Sequence, residues 1–427
     1  MTYKFSVKEK DFPFVLGACA ASLAFLLTLF RGVENLGISD AHDYVDQARG
    51  MLKGASYMFA NPNSFQHGLG FSWTIALTFL VSNSSSLLLF KALLSIGHGF
   101  STFMVAKIGG QIGLGRRYWT LAAILFALDP FVLLTATDIQ TESITTLIVL
   151  YWSYLYIRPR EFSLHQKSFV MLFALSGCYS VLIRPNSILP FIFVACILYF
   201  RWYREGIGTT WIGLSISLFI GIVGIFEVFI TRLYSAFVFL SPVGGVNAEF
   251  MCRSEFIPQY LGFASASQNA KINALISTSQ SSELLHQHPG LSVAQINHDL
   301  WNVGISTCLN HPIESIWVIF LKTLALWRPF TVYGAYGSKV FVATFLLWVP
   351  LTLVTAWYLL NRKLTVVNIR LRNYFIVMSV GFTLSLLLTP TQIRHRVAFA
   401  EPFYWLFATY FLQWILERRN SIKIRED

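Results

Sequence analysis

Apolar residues run along this chain in blocks of about 20, the length at which a helix crosses roughly 30 Å of hydrocarbon. The runs lie near 12–31, 86–107, 119–137, 142–158, 168–183, 187–202, 209–232, 338–360, 372–389 and 398–416. Two shorter ones, 68–82 and 312–328, either span or lie in the interface as amphipathic helices. In hydrocarbon every backbone N–H and C=O must be satisfied within its own segment, so such runs are expected as helices. The expectation is an all-α polytopic membrane protein with about 10–12 transmembrane helices, juxtamembrane helices and a loop region on one face. It forms one membrane-embedded domain over residues 1–427.

Composition agrees. Of 427 residues, 55% are hydrophobic and only 12% charged, against about 25% charged in soluble domains. The first run follows a basic segment (Lys4, Lys8, Lys10), exceeds a signal-peptide core in length and lacks a small-residue cleavage site, so it reads as a first span. The net charge of +11 does not point to nucleic acid, because the cations sit in short loops, as the positive-inside rule requires. The clusters Lys107/Arg116/Arg117, Arg158/Arg160/Lys167, Arg201/Arg204, Arg362/Lys363/Arg370/Arg372 and Arg418/Arg419/Lys423/Arg425 all fall on the cytoplasmic side only if 68–82 and 312–328 do not cross. That parity favours about ten spans with both termini inside. The outer face then receives a first loop, 32–85, and a large loop, 233–337. The expected location is a bacterial inner (plasma) membrane, with the active site facing the periplasm or outside.

Polar residues gather on that outer face. In SDAHDYVDQARGMLKG, Asp40, Asp43 and Asp46 recur every three residues, which brings them together on a helix. They read either as a solvated face with an N-cap at Ser39 or Asp40, or as a carboxylate base beside a lipid-borne substrate. In TATDIQTESI, Asp138 and Glu142 lie four apart at a span end, the place for a polar turn or a functional acid. Asp129 precedes Pro130 and reads best as a polar group satisfied beside a kink. In LIRPNS, Arg184 either binds a phosphate or snorkels. In TPTQIRHRVAFAEP, Arg394, His395 and Arg396 stand at headgroup depth on the side the charge rule disfavours. They suit a phosphate or pyrophosphate, and Glu401 is positioned to pair with one of them. Acids and cations together at one face are what transfer of a sugar from a lipid phosphate needs: a carboxylate to activate the nucleophile and cations to stabilise the leaving phosphate.

In order along the chain these segments resemble the GT-C glycosyltransferase superfamily, nearest to its protein O-mannosyltransferase and lipid A aminoarabinose transferase branch. The resemblance rests on Asp40-x-x-x-Tyr44 followed by Gln47-Ala48, the QHGLGFSW segment with His67, the GLGRRYW turn, the TES turn, Arg184-Pro185-Asn186, and an arginine-rich turn before Glu401-Pro402. It implies a GT-C-like fold with Asp40 as catalytic base and Glu142 as second acid. Asp43 and Asp138 are the competing acids, Tyr44 and His67 further substrate-site candidates, and 68–82 a juxtamembrane helix. The chain departs from the family pattern at Ala41, where many relatives carry a second acid, and by lacking a double proline before 68–82. The implied activity is glycosyl transfer from a polyprenyl-phosphate sugar donor to a glycan, lipid or protein acceptor at the outer face, with Arg184, Arg394, Arg396 and His395 on the donor phosphate. No cofactor is required, although carboxylates at that phosphate can recruit a divalent metal. The alternatives are a transporter or flippase and a polymerase of lipid-linked saccharides.

The five cysteines add one expectation. Cys19, Cys178 and Cys196 lie in apolar runs, whereas Cys252 and Cys308 both fall in 233–337, on the side expected to be oxidising. A bridge between them and two buried thiols are equally open from sequence.

Overall fold

A computed structural model describes residues 11–36, 39–61, 65, 68–158, 166–235, 237–238, 240, 248, 250–261, 264–265, 267–268, 270–272, 292–329, 333–387 and 398–426. His67, Arg394, His395 and Arg396 lie outside them. The regular structure is helical, with no strand among the described residues. The chain is a helical membrane protein: Phe12–Arg31 (α1), Leu88–Gln111, Pro185–Arg204, Thr209–Tyr234 and Val342–Leu360 are each long and apolar enough to cross a bilayer.

Between α1 and Leu88–Gln111 (α5) lie Ser39–Leu52 (α2), Ala55–Ala60 (α3) and Leu69–Ser82 (α4). With 14 residues, α4 is roughly 21 Å long, too short to cross. Helix α1 packs along α5. A Cβ on Gly17 would stand 2.7 Å from the Gly99 carbonyl oxygen, and one on Gly99 would stand 2.5 Å from that of Gly17. Small residues at such a crossing let the two backbones approach, which replaces the hydrophobic drive that lipid cannot supply.

The apolar run expected as one span over 119–137 is broken. Arg116–Leu128 (α6) and Pro130–Thr137 (α7) meet at 55°. Pro130 cannot continue the hydrogen-bond ladder. The freed amides of Phe131 and Val132 donate to Asp129 Oδ1 at 2.9 and 3.2 Å, while Trp405 Nε1 donates to its other oxygen at 3.1 Å. Asp129 is thus the satisfied polar group of a kink, as its sequence context suggests.

Thr141–Ile157 (α8), Gln166–Ile183 (α9), the 3-10 turn Pro185–Ser187 with Ile188–Arg204 (α10), and Thr209–Tyr234 (α11) follow. After a stretch holding the short Ile257–Leu261 (α12) come Val293–Asn310 (α13), Pro312–Trp327 (α14), Tyr333–Leu360 (α15), Val366–Leu386 (α16) and Glu401–Glu426 (α17). Helix α16 packs on α8 and α10, and α17 on α6 and α15. The Tyr374 hydroxyl donates to the Val149 carbonyl at 2.7 Å. Around it, Phe375, Phe403 and Phe407 fill the centre with edge and tilted ring contacts. Two runs begin or end elsewhere than apolarity alone suggests. The N-cap of α16 is Thr365, whose hydroxyl accepts from the Asn368 amide, so the helix takes in Arg370 and Arg372 before its apolar part. Helix α17 carries the charge-rich stretch 417–426 as a continuation of the same helix. Helix α11 exposes Ile220 (63%) and Ile225 (74%) and buries little of its length, an apolar exterior suited to hydrocarbon rather than water.

Helix α14 buries Val318, Leu321 and Ala325 against Phe250, Phe256 and Tyr260. Its other face exposes Ile313, Ile316, Trp317, Phe320 and Leu324. At 16 residues it is an amphipathic segment of roughly 24 Å, shorter than a span. Of the two open readings for the cysteine pair, the structure forms the bridge: Cys252 and Cys308 are disulfide-bonded with α-carbons 5.4 Å apart, 56 residues apart in sequence.

The bridge generates a prediction. Neither cysteine should react with a thiol probe in unreduced protein. The Cys252→Ser/Cys308→Ser variant should lose about 4 kcal/mol of stability from the freed loop entropy, seen as faster proteolysis between residues 250 and 310. Labelling of either cysteine without reductant contradicts the bridge.

Candidate functional site

The first span delivers Arg31 as its last residue, and Gly32, with φ of 93°, turns the chain out of the helix in a conformation glycine adopts without penalty. Past the turn, Glu34 Oε1 accepts from the Ser86 hydroxyl at 3.1 Å and from the Leu87 amide at 3.2 Å, fastening this loop to the start of α5. One turn into α5, buried Lys91 donates its ammonium to the Asn35 carbonyl and interacts electrostatically with Asp138, Arg31 and Glu34.

Arg31 reaches from α1 to the far end of the bent span. Its Nη1 lies 2.7 Å from Asp138 Oδ1 and donates to Thr137 Oγ1 at 2.7 Å. Burial raises the Asp138 carboxyl above its ordinary pKa, against the opposing pull of Arg31 and Lys91. Four residues on, in the first turn of α8, buried Glu142 faces Arg184 at 3.4 Å. Arg184 ends the segment after α9 and donates from Nε to Asn186 Oδ1 at 3.2 Å. Both members of this second pair have side chains less than a tenth exposed.

The same turn meets the first loop. A Cβ on Gly70 would stand 2.7 Å from the Leu182 carbonyl, and one on Gly68 would stand 3.3 Å from Pro185 Cδ. Both glycines therefore let the start of α4 lie directly on the backbone that presents Arg184 (a larger residue would hold the two apart). Helix α4 in turn carries α2. Ala41, Val45 and Ala48 are buried, Tyr44 packs edge-on against Phe71 with centroids 4.8 Å apart, and Ser72 donates to Gln47 at 3.1 Å.

Packing of α2 separates the aspartates that their three-residue spacing groups together. Asp40, in the first turn, is half-buried at the margin of the packed face. Asp43 and Asp46 are exposed, and Asp46 is paired with Arg49 at 3.3 Å. Asp43 and Asp46 form the solvated face, and Asp40 is the one carboxylate of α2 in a partly enclosed position.

Of the residues singled out from sequence, the structure brings Glu142 and Arg184 into contact and places Asp138 with Arg31. Tyr44 takes a packing position in the α2–α4 contact. Arg184 is balanced by a buried carboxylate, that of Glu142. Sequence reading passed over Arg31, Glu34 and Lys91. A signal existed for two of them: Arg31 and Lys91 are cations at the two ends of the first loop, each at the margin of an apolar run where a charge is costly. Among the described residues no group of three or more His, Cys, Asp or Glu side chains is placed to hold a metal ion. The arrangement is a mixed-charge cluster at one end of the bundle, able to receive an anion on arginine or lysine with carboxylates beside it.

The Arg31–Asp138 pair yields a test by pH. Arg31→Gln should cost about 2 kcal/mol at neutral pH, the loss of a partly exposed ion pair that leaves a carboxylate buried. Without Arg31 the Asp138 pKa rises further. A carboxyl raised in the folded state contributes stability fully present below its unfolded pKa, near about 4, and lost as pH rises through the folded value. Thermal unfolding of Arg31→Gln should therefore show stability falling with pH above about 4 more steeply than wild type, a trend removed by adding Asp138→Asn. A pH dependence equal to that of wild type would contradict the pairing.

No family model, no curated protein and no solved structure matches this chain.

Proposed function

We propose that this protein transfers a glycosyl group from a polyprenyl-phosphate donor to a glycan, lipid or protein acceptor at the outer face of a membrane. The observation that carries the reading is the seating of the start of α4 on the Arg184 turn: Gly68 and Gly70 pack on residues 182–185 while α4 holds α2, with half-buried Asp40. Three separate sequence segments thereby meet at one end of the bundle, next to the Glu142–Arg184 and Arg31–Asp138 pairs. In the proposed topology this end faces outward, both termini are cytoplasmic, and the membrane is a bacterial plasma membrane.

In the proposed reaction the Asp40 carboxylate takes the proton of the acceptor hydroxyl as that oxygen attacks the anomeric carbon. The bond from that carbon to the phosphate oxygen breaks, and the phosphate leaves carrying its electron pair. Asp40 is the preferred base because it is the half-buried carboxylate of α2, on the loop that α4 seats beside the Arg184 turn. Glu142 holds Arg184 in place, and Arg184 meets the leaving phosphate together with Arg394, His395 and Arg396. A carboxylate-buttressed arginine has its planar fork oriented before the donor arrives, so the ordering cost of binding is lowered. No metal is needed for this step.

One observation favours a transporter instead. The 55° break at Asp129–Pro130 is the kind of helix discontinuity that transporters use near the bilayer midplane. Its freed amides are capped by Asp129 itself, which gives the break a structural explanation and leaves transfer as the stronger reading.

The test uses purified protein with polyprenyl-phosphate sugars. Asp40→Asn should lower turnover about 10²–10⁴-fold, the contribution of a general base, while donor binding persists. Asp43→Asn, on the solvated face, should stay close to wild type. Wild-type turnover in Asp40→Asn removes Asp40 as the base. Translocation of the donor without transfer supports the transporter.

A further inference from the structure

Helices α10 and α16 form a junction at the end of the bundle that carries Arg184. Gly381 of α16 lies on Pro190 of α10, where a Cβ would stand 2.8 Å from the Pro190 Cα. Further along, Arg370 and Arg201 line one cleft, so the two helices run antiparallel. One more turn of each in the other direction brings Ser385 level with Asn186 and Ser187, and α16 packs on the Pro185–Ser187 turn. Ser187 closes that turn, its amide donating to the Arg184 carbonyl at 2.8 Å. The hydroxyls of Ser187 and Ser385 are buried with no hydrogen-bond partner among the described residues. Serines elsewhere in the bundle, such as Ser95 and Ser176, bond back to a carbonyl of their own helix, the ordinary way for a helical hydroxyl to be satisfied.

The same end of α16 receives a buried ammonium from the large loop. Helix α14 runs along α16: Trp327 Nε1 donates to Thr383 Oγ1 at 3.2 Å, and Lys322 Nζ donates to the Leu387 carbonyl at 2.9 Å. Leu387 is the C-cap of α16, and the negative end of a helix dipole explains a cation there in part. A neutral carbonyl is not a counter-charge, however, and an ammonium has three donors. Lys322 is buried with no acidic partner among the described residues, whereas buried Lys91 has Asp138 and Glu34 near it. Burying an ammonium without an anion is costly.

We propose that this junction binds the phosphate of the lipid-linked donor, with Lys322 supplying charge and the hydroxyls of Ser187 and Ser385 donating to its oxygens beside Arg184. The assignment rests on the transferase reading and adds three residues to it. The flexible four-carbon stem of lysine lets the ammonium turn from the Leu387 carbonyl to an arriving phosphate, which is the stronger acceptor because it is charged. Breaking the glycosyl bond turns a phosphodiester into a monoester and raises its negative charge, and buried donors already in place stabilise charge that grows there.

The experiment is native mass spectrometry of the full chain in detergent with polyprenyl phosphate, polyprenol or inorganic phosphate, alongside thermal unfolding of the ligand-free protein. Lys322→Met keeps the length of the stem and removes the charge. It should weaken retention of polyprenyl phosphate about tenfold or more, the loss of hydrogen bonds between charged groups, while Tm holds or rises because an uncompensated buried charge is gone. Ser187→Ala/Ser385→Ala should weaken retention about fivefold, again without loss of Tm. Lys363→Met, at an exposed position before α16, should change neither. A role confined to capping α16 gives the reverse pattern for Lys322→Met, a lowered Tm with wild-type retention, and overturns the proposal. If Lys322→Met loses both, the serine variant decides: wild-type retention there overturns the site. Wild type that retains polyprenol as well as polyprenyl phosphate overturns the donor reading and this assignment together, whereas a wild-type preference that survives in Lys322→Met overturns this assignment alone. Inorganic phosphate retained as well as polyprenyl phosphate, with the same dependence on Lys322, assigns the junction to a soluble anion and overturns the lipid.

Discussion

Charge that leaves water must be paired, and this constraint ties the first half of the chain together. A carboxylate or guanidinium buried alone would cost several kcal/mol. Arg31 with Asp138 and Glu142 with Arg184 avoid that cost by joining the end of α1 to the end of the bent span, and the start of α8 to the turn after α9. Lys91 adds the start of α5 through the Asn35 carbonyl. The drive to pair these groups exists only once the helices have packed. The pairs therefore select one arrangement of helix ends among the many that apolar surfaces alone would permit.

Apolar contact provides the bulk of the assembly but little of its specificity. Lipid tails solvate leucine as well as another helix does, so close association comes from backbone approach and shape. Gly17 against Gly99 performs this in the membrane interior, and Gly68 and Gly70 against Leu182 and Pro185 perform it at the charged end. The second contact matters for chemistry, because it seats the first loop on the turn that presents Arg184. A side chain at Gly70 would displace α4, and with it α2 and Asp40.

Much of the fold was legible in the apolar pattern, because a helix in hydrocarbon must satisfy its own backbone and so must be long and continuous. The helices follow the runs closely, and α4, at 14 residues, is as short as its run implied. Asp129 was legible as a satisfied polar group because a proline beside an acid leaves amides that the acid can cap. A kink at Pro130 was legible as well, but not its size of 55°, since the run of apolar residues continues through it. At the candidate site, residue types were legible: Asp138, Glu142 and Arg184 stood out, though without their partners. Spacing could not rank Asp40 above Asp43, a preference that came from the family resemblance; the packing of Ala41, Val45 and Ala48 on α4 is what sends Asp43 to solvent. Nor could it decide between a bridge and two thiols at Cys252 and Cys308, whose separation in sequence says nothing of distance. By itself, then, the sequence determined that the chain is a membrane-embedded helical protein with its acids and outlying cations at span ends, because hydropathy and charge act locally along the chain. Tertiary structure alone decided which charges meet, which carboxylate is enclosed and which cysteines bond, because those depend on distances between segments far apart in sequence.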